Sequence, residues 1–163
     1  VLPLRGGKGW LYEGGIRVPL LIKPANYNGL IKTISEPVIG YDFFPTILSQ
    51  PNIVANPDLK IDGVDLTPLL NGKKQLNRKE LFWHYPHYHG SGWTPGAAIR
   101  QGDWKLIEFY ETNTVELYDL STDISEANDL SLKYPEKVSV LKQRLHELQK
   151  SMNANNVMIN SNN

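Results

Sequence analysis

Hydrophobic spacing changes character along this chain. It is clearest near the end, where Tyr134, Val138, Leu141, Leu145, Leu148 and Met152 recur in alternating steps of four and three. That spacing draws one apolar stripe along a helix, with Lys137, Lys142, Arg144, Glu147 and Lys150 largely elsewhere on its surface. Pro135 suits the first helical position, and Glu136 the positive end of the helix. Upstream, the spacing is that of strands. Leu81-Phe82-Trp83-His84-Tyr85 is rich in aromatics. Ala98-Ile99-Arg100 and the run from Trp104 to Tyr110 flank Gln101-Gly102-Asp103, a strong hairpin signal. Glu111-Thr112-Asn113-Thr114 then turns into a third run, Val115 to Leu120. Together these predict an antiparallel sheet of about four strands followed by an amphipathic helix.

The first half reads differently. Ile16 to Lys23 is almost continuously apolar, which suits a short strand covered on both faces, as in a parallel α/β sheet. Pro19 sets it near a strand end or bulge. Pro24 to Gly29 reads as loop and Ile31 to Ile39 as extended. Tyr41 to Gln50 predicts a short helix with Tyr41, Phe44 and Leu48 on one face and Ile47 beside them, Pro45 lying in its first turn or kinking it. Pro51 to Leu59 is loop again. Asp62-Gly63 signals a turn, and Leu66 to Leu70 a short helical or irregular apolar piece. Asn71-Gly72-Lys73-Lys74 is polar and marks the best boundary, dividing residues 1–72 from 73–152. Residues 153–163 are mostly Asn, Ser and small apolar side chains, and are expected to be a frayed or disordered tail.

Composition narrows the partners. Lys+Arg and Asp+Glu are both 17, so the net charge is zero, which argues against nucleic acid or an anionic membrane. No apolar run approaches the ~20 residues of a membrane helix. With no cysteine, disulfides, zinc-thiolate sites and cysteine nucleophiles lie outside this chain. A first residue that is valine, immediately followed by the most chemistry-rich stretch, suggests a fragment or a processed product.

That stretch is Leu4-Arg5-Gly6-Gly7-Lys8-Gly9-Trp10-Leu11-Tyr12-Glu13-Gly14-Gly15-Ile16-Arg17-Val18-Pro19. A lysine among glycines, with backbone N–H groups free to approach, reads as a cradle for an anion, Lys8 being the cation. It is not a P-loop, since Gly9 follows the lysine where a hydroxyl would be needed. On spacing alone, a glycine-rich surface loop with a solvated lysine fits as well. Glu13 and Arg17 lie close to the apolar run and read as a structural ion pair or backbone clamp. His84, His87 and His89 follow a His-x-x-His-x-His spacing. In an extended segment His87 and His89 share a face. Zinc is one reading, although no carboxylate or thiol lies close by, and packing among Trp83, Tyr85 and Tyr88 is another. Trp93, in the Gly90–Gly96 loop, reads either as a sugar-stacking ring or as cover for the sheet.

The opening stretch closely resembles a signature of the sulfatase family, the alkaline-phosphatase-like sulfuric-ester hydrolases. The resemblance continues through Tyr41–Leu48, Asp62-Gly63-Val64-Asp65-Leu66-Thr67-Pro68-Leu69-Leu70, Leu81–Tyr88, Ala98–Ile107 and Glu116–Leu120, spanning roughly residues 2 to 150. It implies an α/β fold class. Residues 1–72 would carry the terminal strand and helix of the α/β catalytic domain, and residues 73–152 a small α+β subdomain of antiparallel strands and a C-terminal helix. It implies that Lys8 contacts the substrate sulfate, where a cation offsets charge building on the sulfuryl and leaving oxygens. It places the segment of His87 near the rim of the cleft, where His87 is either a substrate contact or structural.

Other parts of the family's machinery are missing from this sequence. Its nucleophile is a formylglycine made within Cys/Ser-x-Pro/Ala-x-Arg, and the chain has neither cysteine nor such a serine segment. The aspartates that hold the divalent metal are missing too. The resemblance therefore implies the C-terminal part of a parent enzyme that uses formylglycine and calcium on a sulfated carbohydrate or aryl sulfate, outside the cytoplasm. The piece alone would be inactive. A phosphoesterase or phosphonate hydrolase of the same superfamily is one alternative, decided by the nucleophile motif. A non-catalytic carbohydrate-binding or interaction module is another. An orphan strand at 16–23 would also favour a homodimer of the isolated chain, which a strict monomer in light scattering at high concentration would contradict.

Overall fold

The computed structural model describes residues 2–24, 32–51, 53, 56 and 58–155. It divides into two compact units, one formed by Val1–Leu20 with Glu80–Asn163 and the other by Leu21–Lys79. The division runs just after the polar break, and it places the opening twenty residues with the C-terminal sheet rather than with the segment that follows them in sequence.

The larger unit is built on the four-stranded antiparallel sheet that the spacing predicts, in the order β1-β2-β3-β4. The strands are β1 Leu81–Tyr85, β2 Gly96–Gln101, β3 Trp104–Phe109 and β4 Thr114–Asp119. Gln101 pairs with Trp104 across the Gly102-Asp103 loop, so the hairpin register is that of a two-residue connection. Alternate residues point to opposite faces, and both faces are covered. On one face Ala97, Ile99, Leu106 and Leu117 pack against Leu141 and Leu145 of α4, the long helix Pro135–Ser151. On the other, Ala98, Ile107 and Tyr118 pack against Leu11, Tyr12 and Trp93.

The helix follows its stripe. Leu141 and Leu145 are buried, Val138 and Leu148 pack at the margin, and Pro135 opens the first turn. Polar ties fix its rotation against the sheet. Arg144 reaches Glu80 at 2.6 Å, and Lys142 and His146 reach Glu108 at 3.0 and 2.8 Å.

The strand expected at 16–23 is not formed. Glu13–Ile16 is a single helical turn, α1, and residues 17–24 adopt neither helix nor strand. Val18 and Leu21 are 75% and 94% exposed. A strand exists through the ladder it joins, and among the described residues none pairs with this run.

The smaller unit is held by a polar hub. The helix α2, Phe43–Leu48, follows a 3-10 turn at Gly40–Asp42, and Pro45 lies in the first turn of α2 as expected. Asp42 is fully buried, accepts the Ile39 and Val64 N–H groups at 2.9 and 3.0 Å, and pairs with Arg78. Thr46 adds a second tie, accepting the Leu66 N–H at 2.9 Å. Leu66, Leu69 and Leu76 form a small core beside α3, Thr67–Leu70. The faces of α2 expected to be covered are largely open, with Phe44 and Ile47 50% and 58% exposed. The segments read as loop or extended at 24–31 and 51–59 lie partly outside the described residues, as does most of the expected tail.

Candidate functional site

Lys8 sits at the tip of a tight turn. The Trp10 N–H donates to the Gly7 carbonyl at 3.0 Å, leaving Lys8 and Gly9 as the central pair. Gly9 has φ +91°, which the third residue of a type II turn requires and which other residues rarely take. A second reason for glycine is contact. A Cβ on Gly9 would fall 2.2 Å from Nδ1 of His89, so the imidazole occupies the space where any side chain would stand. The base of the loop is closed in the same way. The Gly14 N–H donates to the Arg5 carbonyl at 2.8 Å, and a Cβ there would lie 2.4 Å from that oxygen.

Aromatic rings carry the loop on the sheet. Trp10 lies edge-on to Trp93 at 5.7 Å, and Tyr12 meets Trp93 at 5.9 Å with perpendicular rings. Trp93 is 1% exposed. Of its two readings, cover for the sheet is therefore the observed one. Arg5 lies 4.0 Å over the Tyr12 ring and donates to the Tyr118 hydroxyl at 2.7 Å and the Glu126 carbonyl at 2.9 Å. The Tyr12 and Tyr118 hydroxyls both donate to Glu116, at 2.6 and 2.8 Å. Burial, reinforced by these bonds to Glu116, holds both phenols well above their usual range, so they remain donors.

Beneath the loop lies a buried charge cluster. Lys105 is fully buried, and its Nζ donates to Glu13 Oε1 at 2.9 Å. It also lies 2.8 Å from Glu126 Oε1, a charge contact without hydrogen-bond alignment. Glu126 Oε2 accepts the backbone N–H of Glu13 at 2.6 Å. Arg17 and Arg100 approach Glu13 Oε2 at 3.5 and 4.0 Å. Burial pushes the Glu126 carboxyl above its ordinary value, against the pull of Lys105 and the Glu13 N–H. Glu13 and Arg17 thus form the structural pair expected, but the main partner of Glu13 is Lys105. The signal for it was a lysine in a strand that is buried on both faces. Ile107 marks the face of β3 that meets the opening loop, and Lys105 shares that face.

The predicted residues separate. Lys8 is exposed, and among the described residues no carboxylate pairs with it. His89 is brought to it through Gly9. His87 is exposed beyond the end of β1, its ring edge-on to Tyr85 at 5.6 Å. His84 bonds the Tyr110 hydroxyl at 2.8 Å and the Asn155 carbonyl at 2.9 Å. The shared face expected for His87 and His89 does not arise, because β1 ends at Tyr85 and His89 pairs with Trp93 in a separate bridge. Among the described residues no group of three or more His, Cys, Asp or Glu is placed to hold a metal ion. A concavity of about 660 Å³ opens instead at the start of α4, lined by Gln101, Trp104, Lys133, Tyr134 and Lys137 among others. Its cations are taken up by its own rings, with Lys137 4.4 Å over Trp104 and Lys133 5.3 Å over Tyr134.

Comparison with known proteins gives this geometry a family. Residues 7–153 match the family described as N-sulphoglucosamine sulphohydrolase, C-terminal. A sulfatase of Formosa agariphila is 35% identical over 82% of the chain and 26% of its own length. An N-acetylglucosamine-6-O-sulfatase of Bacteroides thetaiotaomicron is 32% identical over 92% of the chain and 29% of its length. A structure solved with D-glucosamine-2-N,6-O-disulfate superposes with a TM-score of 0.59 at 32% identity, covering 71% of this chain and 24% of that one. The chain spans between 24% and 29% of the length of these proteins. The residues matched by that family include the sheet, the long helix and Lys8, and the chain belongs to the sulfatase family.

Proposed function

We propose that this chain is the C-terminal part of an enzyme that hydrolyses sulfate esters of carbohydrates, and that Lys8 holds the sulfate. The observation that carries the reading is an exposed lysine, without an ion-pair partner among the described residues, on a turn that fixes its backbone. Below that turn lie the aromatic contacts of Trp10 and Tyr12 and the buried Glu13–Lys105–Glu126 cluster. A cation whose backbone is placed in this way is positioned to offset charge that develops during sulfuryl transfer. A sugar as the carrier is supported by the relative named N-acetylglucosamine-6-O-sulfatase and by the structure solved with D-glucosamine-2-N,6-O-disulfate. His87, exposed past β1, is read as a rim contact to that sugar.

The family's nucleophile segment is not in this sequence, and the described residues do not form a metal site. There is no cysteine and no Ser-x-Pro/Ala-x-Arg segment, and among the described residues no ligand cluster is placed for a cation. Formylglycine and calcium, which would supply the attacking oxygen and further charge, belong on this reading to the rest of the parent. What this chain contributes is binding and orientation of the anion.

The test is turnover of a sulfated glucosamine by the full-length enzyme and its Lys8→Ala variant. Loss of the lysine is expected to lower kcat/KM by roughly 10²–10³-fold, as for other preorganised charge-stabilising groups. The melting temperature should stay unchanged, because Lys8 is exposed and has no ion-pair partner among the described residues. The isolated chain is expected to show no turnover. Wild-type activity in Lys8→Ala, or turnover by the purified chain alone, would remove the reading.

A further inference from the structure

The position of His89 goes beyond a structural histidine, and it deepens the Lys8 reading on which it rests. Its ring lies directly on Gly9, the residue after Lys8, and only the missing Cβ at Gly9 lets it approach so closely. Nδ1, the ring atom nearest that missing Cβ, is also held by the ring's own loop. The Ser91 N–H donates to Nδ1 at 3.2 Å, and Ser91 Oγ lies 2.8 Å from the same nitrogen. The surrounding loop is closed by the His89 N–H to the Trp93 carbonyl at 3.1 Å and by the Gly92 N–H to the His89 carbonyl at 2.9 Å. Trp93, the buried ring of the aromatic cluster, anchors that loop on the sheet.

These contacts decide where the proton sits. A neutral imidazole has one N–H and one acceptor nitrogen. Nδ1 is the acceptor, because a backbone N–H can only donate to it. The ring proton is therefore on Nε2. Among the described residues Nε2 has no partner. A lysine supplies charge to an anion but little direction, its ammonium being a point charge on a mobile stem. A ring N–H on a fixed imidazole supplies the direction.

We infer that His89 is a substrate-contacting residue of the Lys8 site, donating from Nε2–H to an oxygen of the bound sulfate ester and so setting how it lies against Lys8. The donor would already be engaged in the ground state, so its loss acts mainly on KM.

The decisive variant is His89→Phe in the full-length enzyme, which keeps a ring against Gly9 and removes the donor. With a sulfated glucosamine as substrate, KM is expected to rise roughly ten-fold with kcat changed less, the size of one hydrogen bond to a charged group. His89→Gln, which restores an N–H near that position, should recover part of the loss. A KM in His89→Phe equal to wild type would overturn the inference. Lys8→Ala measured alongside separates the two ideas. If Lys8→Ala is impaired and His89→Phe is not, the inference falls and the Lys8 reading stands. If Lys8→Ala matches wild type, or the wild type turns over no sulfate ester, the Lys8 reading falls and the inference with it. Should His89→Phe fail to melt cooperatively, the ¹⁵N resonances of His89 in the wild type decide. An Nε2–H tautomer that responds to added inorganic sulfate upholds the assignment, and an Nδ1–H tautomer or an unresponsive ring removes it.

Discussion

Two buried carboxylate centres, around Asp42 in the smaller unit and around Lys105 in the larger, are built in opposite ways. Asp42 collects donors from nearby chain. The Ile39 and Val64 N–H groups are 3 and 22 positions away and Arg78 is 36 away. Two of those partners are backbone, so the carboxylate mainly staples loops together. The Lys105 centre gathers side chains from far apart. Glu13 is 92 positions from Lys105, and Glu126 bonds a backbone N–H 113 positions away. It holds two carboxylates around one fully buried lysine, beneath the loop that carries Lys8. The first centre can be replaced in part by any acceptor. The second turns on one fully buried cation, with Arg17 and Arg100 farther out on Glu13, and it lies where position matters for chemistry.

Breaking the cation should give the largest effect. Lys105→Met keeps the volume and leaves Glu13 and Glu126 buried without their common partner, at an expected cost of about 3–5 kcal/mol. Denaturant midpoints would measure it, and a loss below about 1 kcal/mol would mean the two carboxylates do not rely on Lys105. Asp42→Asn should cost less, about 2 kcal/mol, because the amide oxygen still accepts one of the two N–H groups, while the other N–H faces the amide NH2 and the charge on Arg78 goes unmatched. If it cost as much as Lys105→Met, the contrast between the two centres would fail.

The smallest effect should come from Glu126→Gln, and it is best read through pH. Burial raises the Glu126 carboxyl in the folded protein above its value in the unfolded chain. The folded state then keeps that proton to higher pH. The contribution of this group is whole below the unfolded carboxylate range and is lost as pH rises through the folded value. Urea midpoints followed upward from about pH 4 should therefore decline over that window in the wild type and be flatter in Glu126→Gln. Equal slopes in the two proteins would show that Lys105 fully offsets the burial.

Much of the fold was legible in local pattern. The hairpin at Gln101–Trp104, the stripe from Val138 to Leu148 and Pro45 in the first turn of α2 all follow from spacing and turn chemistry. The run at 16–23 misled because its apolar character states only that it prefers cover, while a strand also needs a neighbour for its N–H and C=O groups. Lys8 stood out as a cation among glycines. His89 did not stand apart from His87, since the period of a strand assigns them one face and the chain leaves β1 before reaching either.

The sequence by itself determined the antiparallel strands and the long helix of the larger unit, the register of the hairpin, and the glycine turn that presents Lys8. These depend on residues within a few positions of one another. Only the tertiary structure decided that Lys105 neutralises Glu13, that Trp93 lies under the loop, and that the imidazole of His89 fills the space left by Gly9. Such pairings are chosen by the sheet. Its two faces must both be covered, and the side chains that meet across them come from opposite ends of the chain.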